Sequence, residues 1–301
     1  MKAESDLTAA ARIWNDPSET LEDVNRRIHD GVPAGSLAAR GQSYVDQIFD
    51  LFPYARPKEG ASIMEIGSGM GYIMEAMERG CRAREITPDQ IIGLDIAEHM
   101  IARAKPRLLG NPIFSFLHYD GIHVPLPDRS LDVIYSVASL QHVPRPFVFN
   151  LFFEILRLLR SDGYAVIHLL GVKHLRCHTE TTATWQQEVK KQINQGVGHW
   201  HHFYSVEDLE AVFYATGFGH FDVRDGDSIW SLVQPSKLAV PTEFDPAAYL
   251  SLNPDIANTG ANPEAHWLEH GYREGRKWRA GYRETRGGPA RRNWWRRLGG
   301  R

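Results

Sequence analysis

Residues 63–72 of the chain read IMEIGSGMGY, a short apolar run followed by three glycines at alternate positions. The run Ile63–Ile66 predicts a β-strand, and the amphipathic stretch from Tyr72 to Arg79 predicts a helix. Glycines at such a junction let the backbone turn tightly and approach a ligand without a Cβ in the way. The helix N-terminus then offers unpaired N–H groups to an anionic group. Glycine spacing alone leaves a ligand-binding loop and a plain structural turn both open.

The order of the glycines separates two cofactors. A dinucleotide fingerprint has the order G-x-G-x-x-G/A, and in this chain Tyr72 occupies the place of its third glycine. The chain instead has G-x-G-x-G, preceded by an acid, Glu65. This pattern resembles the first motif of class I S-adenosylmethionine-dependent methyltransferases of the small-molecule branch. The resemblance implies that Glu65 helps to position the cofactor's amino group. It also implies that the loop receives the methionine half of the cofactor through Gly67, Ser68, Gly69 and Gly71.

Two later segments agree with this resemblance. Asp95 ends the second predicted strand, where a carboxylate can accept both ribose hydroxyls of a nucleoside. The resemblance places Ile96 against the adenine face. Asp120 and Gly121 follow the third predicted strand, where the family uses an acid to accept from the exocyclic amine of adenine. An Asp after a strand is also a common turn residue, so both interpretations of Asp120 stay open.

A fourth segment, LPDRSLDVIYSV at residues 126–137, resembles the family's fourth strand and its preceding turn. The resemblance places the backbone of Val137 at the cofactor's amino group, although many relatives have Asn there. Gln141 is predicted to contact either cofactor or substrate. The four segments together predict S-adenosyl-L-methionine as the cofactor, and the resemblance covers roughly residues 40–235.

Short apolar runs alternate with amphipathic stretches from residue 61 onward, which favours a parallel sheet covered by helices. We expect an α/β fold with a doubly wound, mostly parallel, seven-stranded Rossmann-like sheet, helices on both faces and a small helical C-terminal module. Residues 161–163 are predicted to turn the chain into the fifth strand. The predicted organisation is an N-terminal helical cap at 1–60, the cofactor-binding domain at 61–235, the helical module at 242–280 and a basic tail at 281–301.

His142 is the candidate catalytic residue. Methyl transfer from a sulfonium is an in-line displacement, so the protein mainly positions the acceptor and excludes water. A hydroxyl acceptor also requires a general base, and an imidazole suits this role near neutral pH. His142 follows the fourth strand at the carboxyl edge of the predicted sheet, where such folds bind ligands. The alternative is that His142 shapes the site without moving a proton.

The connection from Gly171 to Tyr204 is long and rich in His, Trp and Gln, and connections of this length tend to carry function. We expect it to line the acceptor pocket through Trp185, His199, His201 and Tyr204. A lid that simply covers the sheet edge is the alternative. No metal is expected, because no Cys or carboxylate completes a ligand set near the histidines.

The C-terminal segment contains FDPAAYLSLNPDI at residues 244–256 and ends in HGYREGR. It resembles a short helical module of bacterial surface-polysaccharide proteins, which favours a glycan among the small-molecule acceptors. A purely structural role for the segment stays open. The basic tail, with RRNWWRRL at 291–298, could contact an anionic membrane surface or nucleic acid, or be a solvated tail.

Composition restricts the class of protein. The net charge is −3, yet residues 272–301 hold ten Arg and one Lys against two Glu, so the remainder is acidic. An acidic body without a basic groove, and without an Asn/Asp-Pro-Pro-aromatic signature after the fourth strand, is not expected to methylate nucleic acid. Two distant cysteines and the absence of a leader or a long apolar run predict a cytoplasmic protein, with the basic tail able to approach the inner membrane surface.

The leading functional prediction is S-adenosylmethionine-dependent methyl transfer to a small-molecule or glycan acceptor at oxygen. One alternative is an NAD-type oxidoreductase, since an acid such as Asp95 also occurs in NAD enzymes. The other alternative is a non-catalytic scaffold that keeps the fold and acts through its C-terminal module. The intact set Glu65, Gly67, Gly69 and Asp95 argues against a scaffold.

Overall fold

The computed structural model describes most of the chain. The described residues are 34–174, 201–226, 228–238, 240, 244–272, 274 and 276–278, together with 14, 16, 20, 22–24, 186–187, 189–190 and 193–194. The predictions made for Trp185, for His199 and for the tail at 281–301 lie outside these residues.

A single sheet organises the larger part of the chain. Its strands are β1 (Ser62–Ile66), β2 (Gln90–Asp95), β3 (Phe114–His118), β4 (Leu131–Ser136), β5 (Leu159–Gly171), β6 (Phe203–Tyr204), β7 (His220–Arg224) and β8 (Ser228–Gln234). They lie in the order β3-β2-β1-β4-β5-β8-β7, with the two-residue β6 paired to β5. The pairings of β1 through β6 are parallel, whereas β8 is antiparallel to β5 and to β7. The predicted Rossmann-like α/β fold is confirmed, with β6 as an addition.

Helices connect the strands. They are α1 (Ala34–Leu51), α2 (Tyr72–Arg82), α3 (Glu98–Leu108), α4 (Arg145–Leu158) and α5 (Val206–Thr216). Ser205 caps the N-terminus of α5, since its hydroxyl accepts a hydrogen bond from the Asp208 amide at 3.1 Å. The Asp208 carboxylate pairs with Arg145 at 3.1 Å instead of closing a capping box. Gly217, at φ 100°, then ends the helix.

The predicted turn at residues 161–163 is wrong, because β5 runs through it as a strand. Between the pairs Leu131–Leu159 and Val133–Tyr164, two positions along β4 correspond to five along β5, so β5 bulges here. Gly163 permits this close approach, since a Cβ on it would lie 2.8 Å from the Asp132 carbonyl oxygen. The bulge keeps the chain extended at residues 161–163, where the sequence Ser-Asp-Gly predicts a turn.

The main hydrophobic core lies between the sheet and the helices α4 and α5. The ring of Phe152 on α4 lies 5.0 Å from that of Phe213 on α5, and both are fully buried. Burying such large side chains removes apolar surface from water and supplies the dominant stabilisation of the fold. Met100 on α3 belongs to a separate cluster with Met70 and Val24. Among the helices that the structure describes, none is both long and apolar enough to cross a membrane.

The chain divides into two compact units, one of residues 1–46 and 57–237 and the other of residues 47–56 and 238–301. The predicted domain boundaries, with a cap at 1–60, stay a prediction. The second unit contains α6 (Pro246–Leu252), α7 (Pro254–Ala257), α8 (Pro263–His266) and a π-helical turn at Trp267–Gly271. Each of α6, α7 and α8 begins with a proline, which is pre-organised for the first helical position. Its small core contains Tyr249, Ile256, Trp267, Tyr272 and Trp278.

Candidate active site

The loop between β1 and α2 is anchored to the end of β2. The amides of Gly67 and Ser68 both donate to the Leu94 carbonyl oxygen, at 2.8 and 3.1 Å. Gly67, Gly69 and Gly71 have φ values of 75°, 50° and 76°, in the left-handed region that side-chain-bearing residues avoid. The loop can therefore turn twice within five residues and hold its backbone against the end of β2.

An added side chain would meet different surroundings at each of the three glycines of this loop. A Cβ on Gly67 would lie 1.8 Å from the Ser139 hydroxyl, and one on Gly71 would lie 2.5 Å from a methyl of Leu108. A Cβ on Gly69 would meet nothing within 4 Å. Beside it, the Ser68 hydroxyl is buried and has no hydrogen-bond partner among the described residues. An open cradle next to an unsatisfied polar atom fits a polar ligand at Gly69.

Asp95 lies against this loop, as predicted. Its Oδ2 accepts from the Gly69 amide at 2.7 Å, and its Oδ1 accepts from the Ala97 amide at 2.8 Å. The side chain is buried, and burial raises the pKa of Asp95 against the opposing effect of the backbone hydrogen bonds. Each carboxylate oxygen keeps a second lone pair for a further donor. The ribose contact of Asp95 stays a prediction.

Glu65 has partners that the sequence analysis did not identify. The Tyr135 hydroxyl donates to its Oε2 at 3.3 Å, and the two residues are paired across β1 and β4. Burial raises the pKa of Glu65 well above its usual range, although the Tyr135 hydrogen bond lowers it. The carboxyl group is therefore held inside the protein below the loop. Its predicted contact with the cofactor's amino group stays a prediction.

Asp120 forms a turn. Its Oδ1 accepts from the amides of Ile122 and His123, both at 2.8 Å, and Gly121 adopts a φ of 84°. These backbone hydrogen bonds lower the pKa of Asp120. The Tyr119 amide donates to the Asp95 carbonyl oxygen at 3.3 Å, so the turn begins beside the end of β2. Oδ2 of Asp120 makes no hydrogen bond within the described residues, which leaves it able to accept from a ligand.

The segment after β4 completes this edge of the sheet. Val137 is buried, and Gln141 lies in a 3₁₀ turn at Leu140–His142. The Gln141 carbonyl oxygen accepts from the His202 amide at 2.8 Å, which joins this turn to the segment before β6. The Oε1 atom of Gln141 is buried and has no hydrogen-bond partner among the described residues. Like Ser68, Gln141 therefore offers an unsatisfied polar atom.

Two of the predicted acceptor-side residues come together. The ring of His142 lies 4.8 Å from that of His201 and 5.2 Å from that of Trp14, measured between centroids. Burial lowers the pKa of the neighbouring His202, and the positive charge of Arg145 acts in the same direction. Within the described residues, no group of three His, Cys, Asp or Glu side chains could hold a metal ion. This edge therefore offers imidazoles and an indole ring.

The chain is similar to known proteins in sequence and in fold. A family model described as a methyltransferase domain matches residues 64–167, from the glycine loop to β5. An uncharacterized methyltransferase of Mycobacterium ulcerans is 27% identical over 198 residues, covering 62% of this chain and 72% of the relative. A 27-O-demethylrifamycin SV methyltransferase of Amycolatopsis mediterranei is 28% identical over 153 residues, covering 50% of this chain. The chain spans only 46% of the length of that second relative.

Residues 64–167 are a class I methyltransferase domain. Its cofactor is S-adenosyl-L-methionine. The fold agrees with that of the CMeT domain of citrinin polyketide synthase. That structure has a TM-score of 0.52 and 14% identity, and the similarity covers 79% of this chain and 67% of the other. The NAD-type alternative is not favoured.

Tyr204, a predicted acceptor residue, is fully buried and belongs to the main hydrophobic core, with the Arg145 guanidinium 4.9 Å from its ring centroid. The pairing of β6 with β5 turns alternate residues of this short strand toward the core. The acceptor contact of Tyr204 stays a prediction.

The methyltransferase domain also contains an anchor that the sequence analysis missed. Glu154 on α4 accepts from the Val124 amide at 2.8 Å, and Arg157 donates to the carbonyl oxygens of Val124 and Leu126 at 2.9 and 2.8 Å. The two side chains also bond each other at 2.7 Å. They fix the segment that follows the Asp120 turn. The only sequence signal was their i, i+3 spacing on a helix, which is common on solvated faces.

Proposed function

We propose that this protein transfers a methyl group from S-adenosyl-L-methionine to a hydroxyl oxygen of a small-molecule acceptor, with glycans included in that class. The observation that carries the proposal is the hydrogen bond from the Gly69 amide to Asp95 beside an open position at Gly69. This hydrogen bond joins the glycine loop, proposed to bind the cofactor's amino-acid moiety, to Asp95, proposed to bind its ribose. The acceptor side depends on His142.

The cofactor side uses residues from four strand ends. When bound, S-adenosyl-L-methionine supplies a methyl group on a sulfonium, which needs no electrophilic help from the protein. The chain's own residues bind and orient the cofactor from the carboxyl edge of the sheet. The residues in this set are Glu65, Gly67, Ser68, Gly69, Gly71, Asp95, Ile96, Asp120, Gly121, Val137 and Gln141.

On the acceptor side, we propose that His142 takes the proton of the acceptor hydroxyl. The nearby ring of His201 supports this role, because two imidazoles in contact disfavour a charge on both. A neutral imidazole can accept a proton, and an aromatic neighbour such as Trp14 helps to exclude water. The proton would pass to His142 as the acceptor oxygen bonds the methyl carbon and the bond from that carbon to the sulfonium sulfur breaks, which leaves S-adenosylhomocysteine.

Two further observations bear on the acceptor class. The Amycolatopsis relative is named for methylation of 27-O-demethylrifamycin SV, a small molecule methylated at oxygen. The C-terminal segment resembles a module of surface-polysaccharide proteins, which is the reason to include glycans. The acidic charge of the chain outside residues 272–301 disfavours nucleic acid as an acceptor.

The first experiment measures cofactor binding by calorimetry with S-adenosylmethionine, S-adenosylhomocysteine and NAD. We expect the two adenosyl compounds to bind and NAD not to bind. Binding of NAD alone would favour an oxidoreductase. The second experiment incubates the protein with methyl-labelled cofactor and pools of hydroxylated small molecules and glycans. Cofactor binding without transfer to any pool would favour the scaffold alternative.

Base-labile and amine-linked labels are then separated from ether-linked label to identify the acceptor atom. His142→Ala is expected to lower kcat at least about a hundredfold while the cofactor Kd changes less than about twofold. His270→Ala is the matched control, because His270 lies in the second unit and its side chain is exposed. Unchanged turnover in His142→Ala would end the role of His142 as base.

A further inference from the structure

The peptide that follows β4 has an unusual conformation. Ala138 has a φ of 53°, although it carries a Cβ, and left-handed backbone is unfavourable for such a residue. Such strain persists only where the surroundings hold it, and it concentrates at functional sites. The Ala138 amide donates to Nδ1 of His168 at 3.2 Å. This hydrogen bond ties the strained residue to β5.

His168 is built to accept that hydrogen bond. It lies on β5, is buried, and packs against the rings of Trp230 at 4.7 Å and Tyr44 at 6.0 Å, measured between centroids. Burial lowers the pKa of His168 to about 4, and His174 acts in the same direction. The imidazole is therefore neutral at physiological pH. A neutral ring with Nδ1 as acceptor carries its proton on Nε2.

The hydrogen bond also fixes the direction of a neighbouring carbonyl. The Ala138 N–H and the Val137 C=O belong to one planar trans peptide, so they point in opposite directions. With the N–H directed at His168, the Val137 carbonyl is directed away from His168. The next residue, Ser139, lies against Gly67 of the glycine loop, so this peptide borders the loop.

We infer that His168 is a positioning residue that directs the Val137 carbonyl oxygen toward the amino group of the cofactor's methionine moiety. A carbonyl oxygen can accept a charge-assisted hydrogen bond from that ammonium group. The inference rests on the proposed cofactor binding and adds a residue outside the loop that controls it. His168 itself touches no reacting atom.

The test compares two ligands that differ in the amino-acid part. S-adenosylhomocysteine carries the amino group, whereas 5′-methylthioadenosine keeps the nucleoside and lacks the amino acid. We expect His168→Ala to raise the Kd of S-adenosylhomocysteine about tenfold and to change the Kd of 5′-methylthioadenosine less than about twofold. His168→Asn keeps an acceptor near the Nδ1 position, and we expect it to regain most of the affinity. Both measurements use the full chain.

Ser231→Ala is the matched control for disturbance of the sheet. Ser231 is fully buried on β8, and its hydroxyl has no hydrogen-bond partner among the described residues. It should leave both Kd values unchanged. Thermal unfolding checks that each variant is folded, and His168→Asn provides the test if His168→Ala is not.

Three results would overturn the inference. The first is an equal loss of affinity for both ligands in His168→Ala, which would indicate a general structural role. The second is unchanged affinity for S-adenosylhomocysteine in His168→Ala. The third is a wild-type protein that binds both ligands equally well, because no amino-group contact would then exist. Each of these leaves cofactor binding itself intact. A wild-type protein that binds neither ligand would overturn the proposed function and the inference together.

Discussion

The Gly69 amide and the Asp95 carboxylate form a hydrogen bond of 2.7 Å between the first loop and the end of the second strand. The hydrogen bond ties the middle of the glycine loop to the end of β2, the strand that pairs with β1 in the sheet. The contact places the glycine loop beside the Asp95 carboxylate, as binding of a nucleoside that carries an amino acid requires.

Gly69→Ala should weaken cofactor binding without unfolding the protein. The added Cβ meets no protein atom within 4 Å, so the cost to folding is the left-handed backbone alone, roughly 1–2 kcal/mol. The same Cβ would occupy the proposed cofactor position. We expect the Kd of S-adenosylhomocysteine, measured by calorimetry, to rise at least about thirtyfold.

Gly260→Ala is the control for this prediction. Gly260 has a φ of 71° and also has open space at its Cβ position, but it lies in the second unit. It should cost a similar amount of stability and leave the Kd unchanged. Equal Kd values for the two variants would mean that the cofactor does not lie at Gly69.

Asp95→Asn should weaken cofactor binding by about ten- to a hundredfold. The substitution keeps the size of the side chain but replaces one acceptor oxygen by a donor, which faces a backbone amide or a ribose hydroxyl. Calorimetry with S-adenosylhomocysteine measures the loss. Asp89→Asn, at an exposed aspartate before β2, is the control and should bind like the wild type. A wild-type Kd in Asp95→Asn would remove Asp95 from the cofactor site.

Much of the fold and of the cofactor site was predictable from local sequence. The strands β1, β2 and β4 are short apolar runs, and each ends in, or is followed by, glycine or polar residues. Gly67, Gly69 and Asp95 were identifiable because parallel strands bring their carboxyl ends to one edge, so that residues far apart in the chain meet there. The structure brings the loop and Asp95 together accordingly.

The remainder depends on non-local contacts that no local pattern encodes. The Glu65–Tyr135 hydrogen bond follows from the register of β1 with β4. The burial of Tyr204 follows from the pairing of β6 with β5 across a long connection. The bulge that absorbs residues 161–163 follows from the close approach of Gly163 to β4. In each case the pairing with a neighbouring strand determines the local structure. The local residue types alone are compatible with more than one structure.

Glu154→Gln should destabilise the segment after the Asp120 turn. Burial alone would raise the pKa of Glu154, but hydrogen bonds from Arg157 and from the Val124 amide lower it, so the carboxylate is charged at neutral pH. Removing the charge weakens these bonds, and we expect a loss of about 1–3 kcal/mol in the free energy of unfolding. Denaturant unfolding measures this loss.

Asp128→Asn is the control for Glu154→Gln, because Asp128 pairs with the same Arg157 at 2.8 Å but is largely exposed. An exposed ion pair contributes at most about 1 kcal/mol, so this variant should lose clearly less stability. The anchoring role of Glu154 would be contradicted if both variants lost the same amount.

His168 should make the protein less stable as the pH falls below neutrality. Its pKa is about 4 in the folded state, and an unfolded His titrates near pH 6.5, so the unfolded state binds the proton more readily between these values. Stability that is fully present above about pH 6.5 is therefore lost as the pH falls toward 4. Between pH 7.5 and 5 this single group should account for about 2 kcal/mol.

Denaturant unfolding of the wild type and of His168→Asn at pH 7.5 and pH 5 measures this contribution. Asparagine does not titrate, so the variant should lose less stability over that range than the wild type does. Other titrating groups, including His202, contribute equally to both proteins and cancel in the comparison. Parallel pH dependences in the two proteins would mean that folding does not lower the pKa of His168, so that at pH 5 a protonated Nδ1 could not accept from the Ala138 amide.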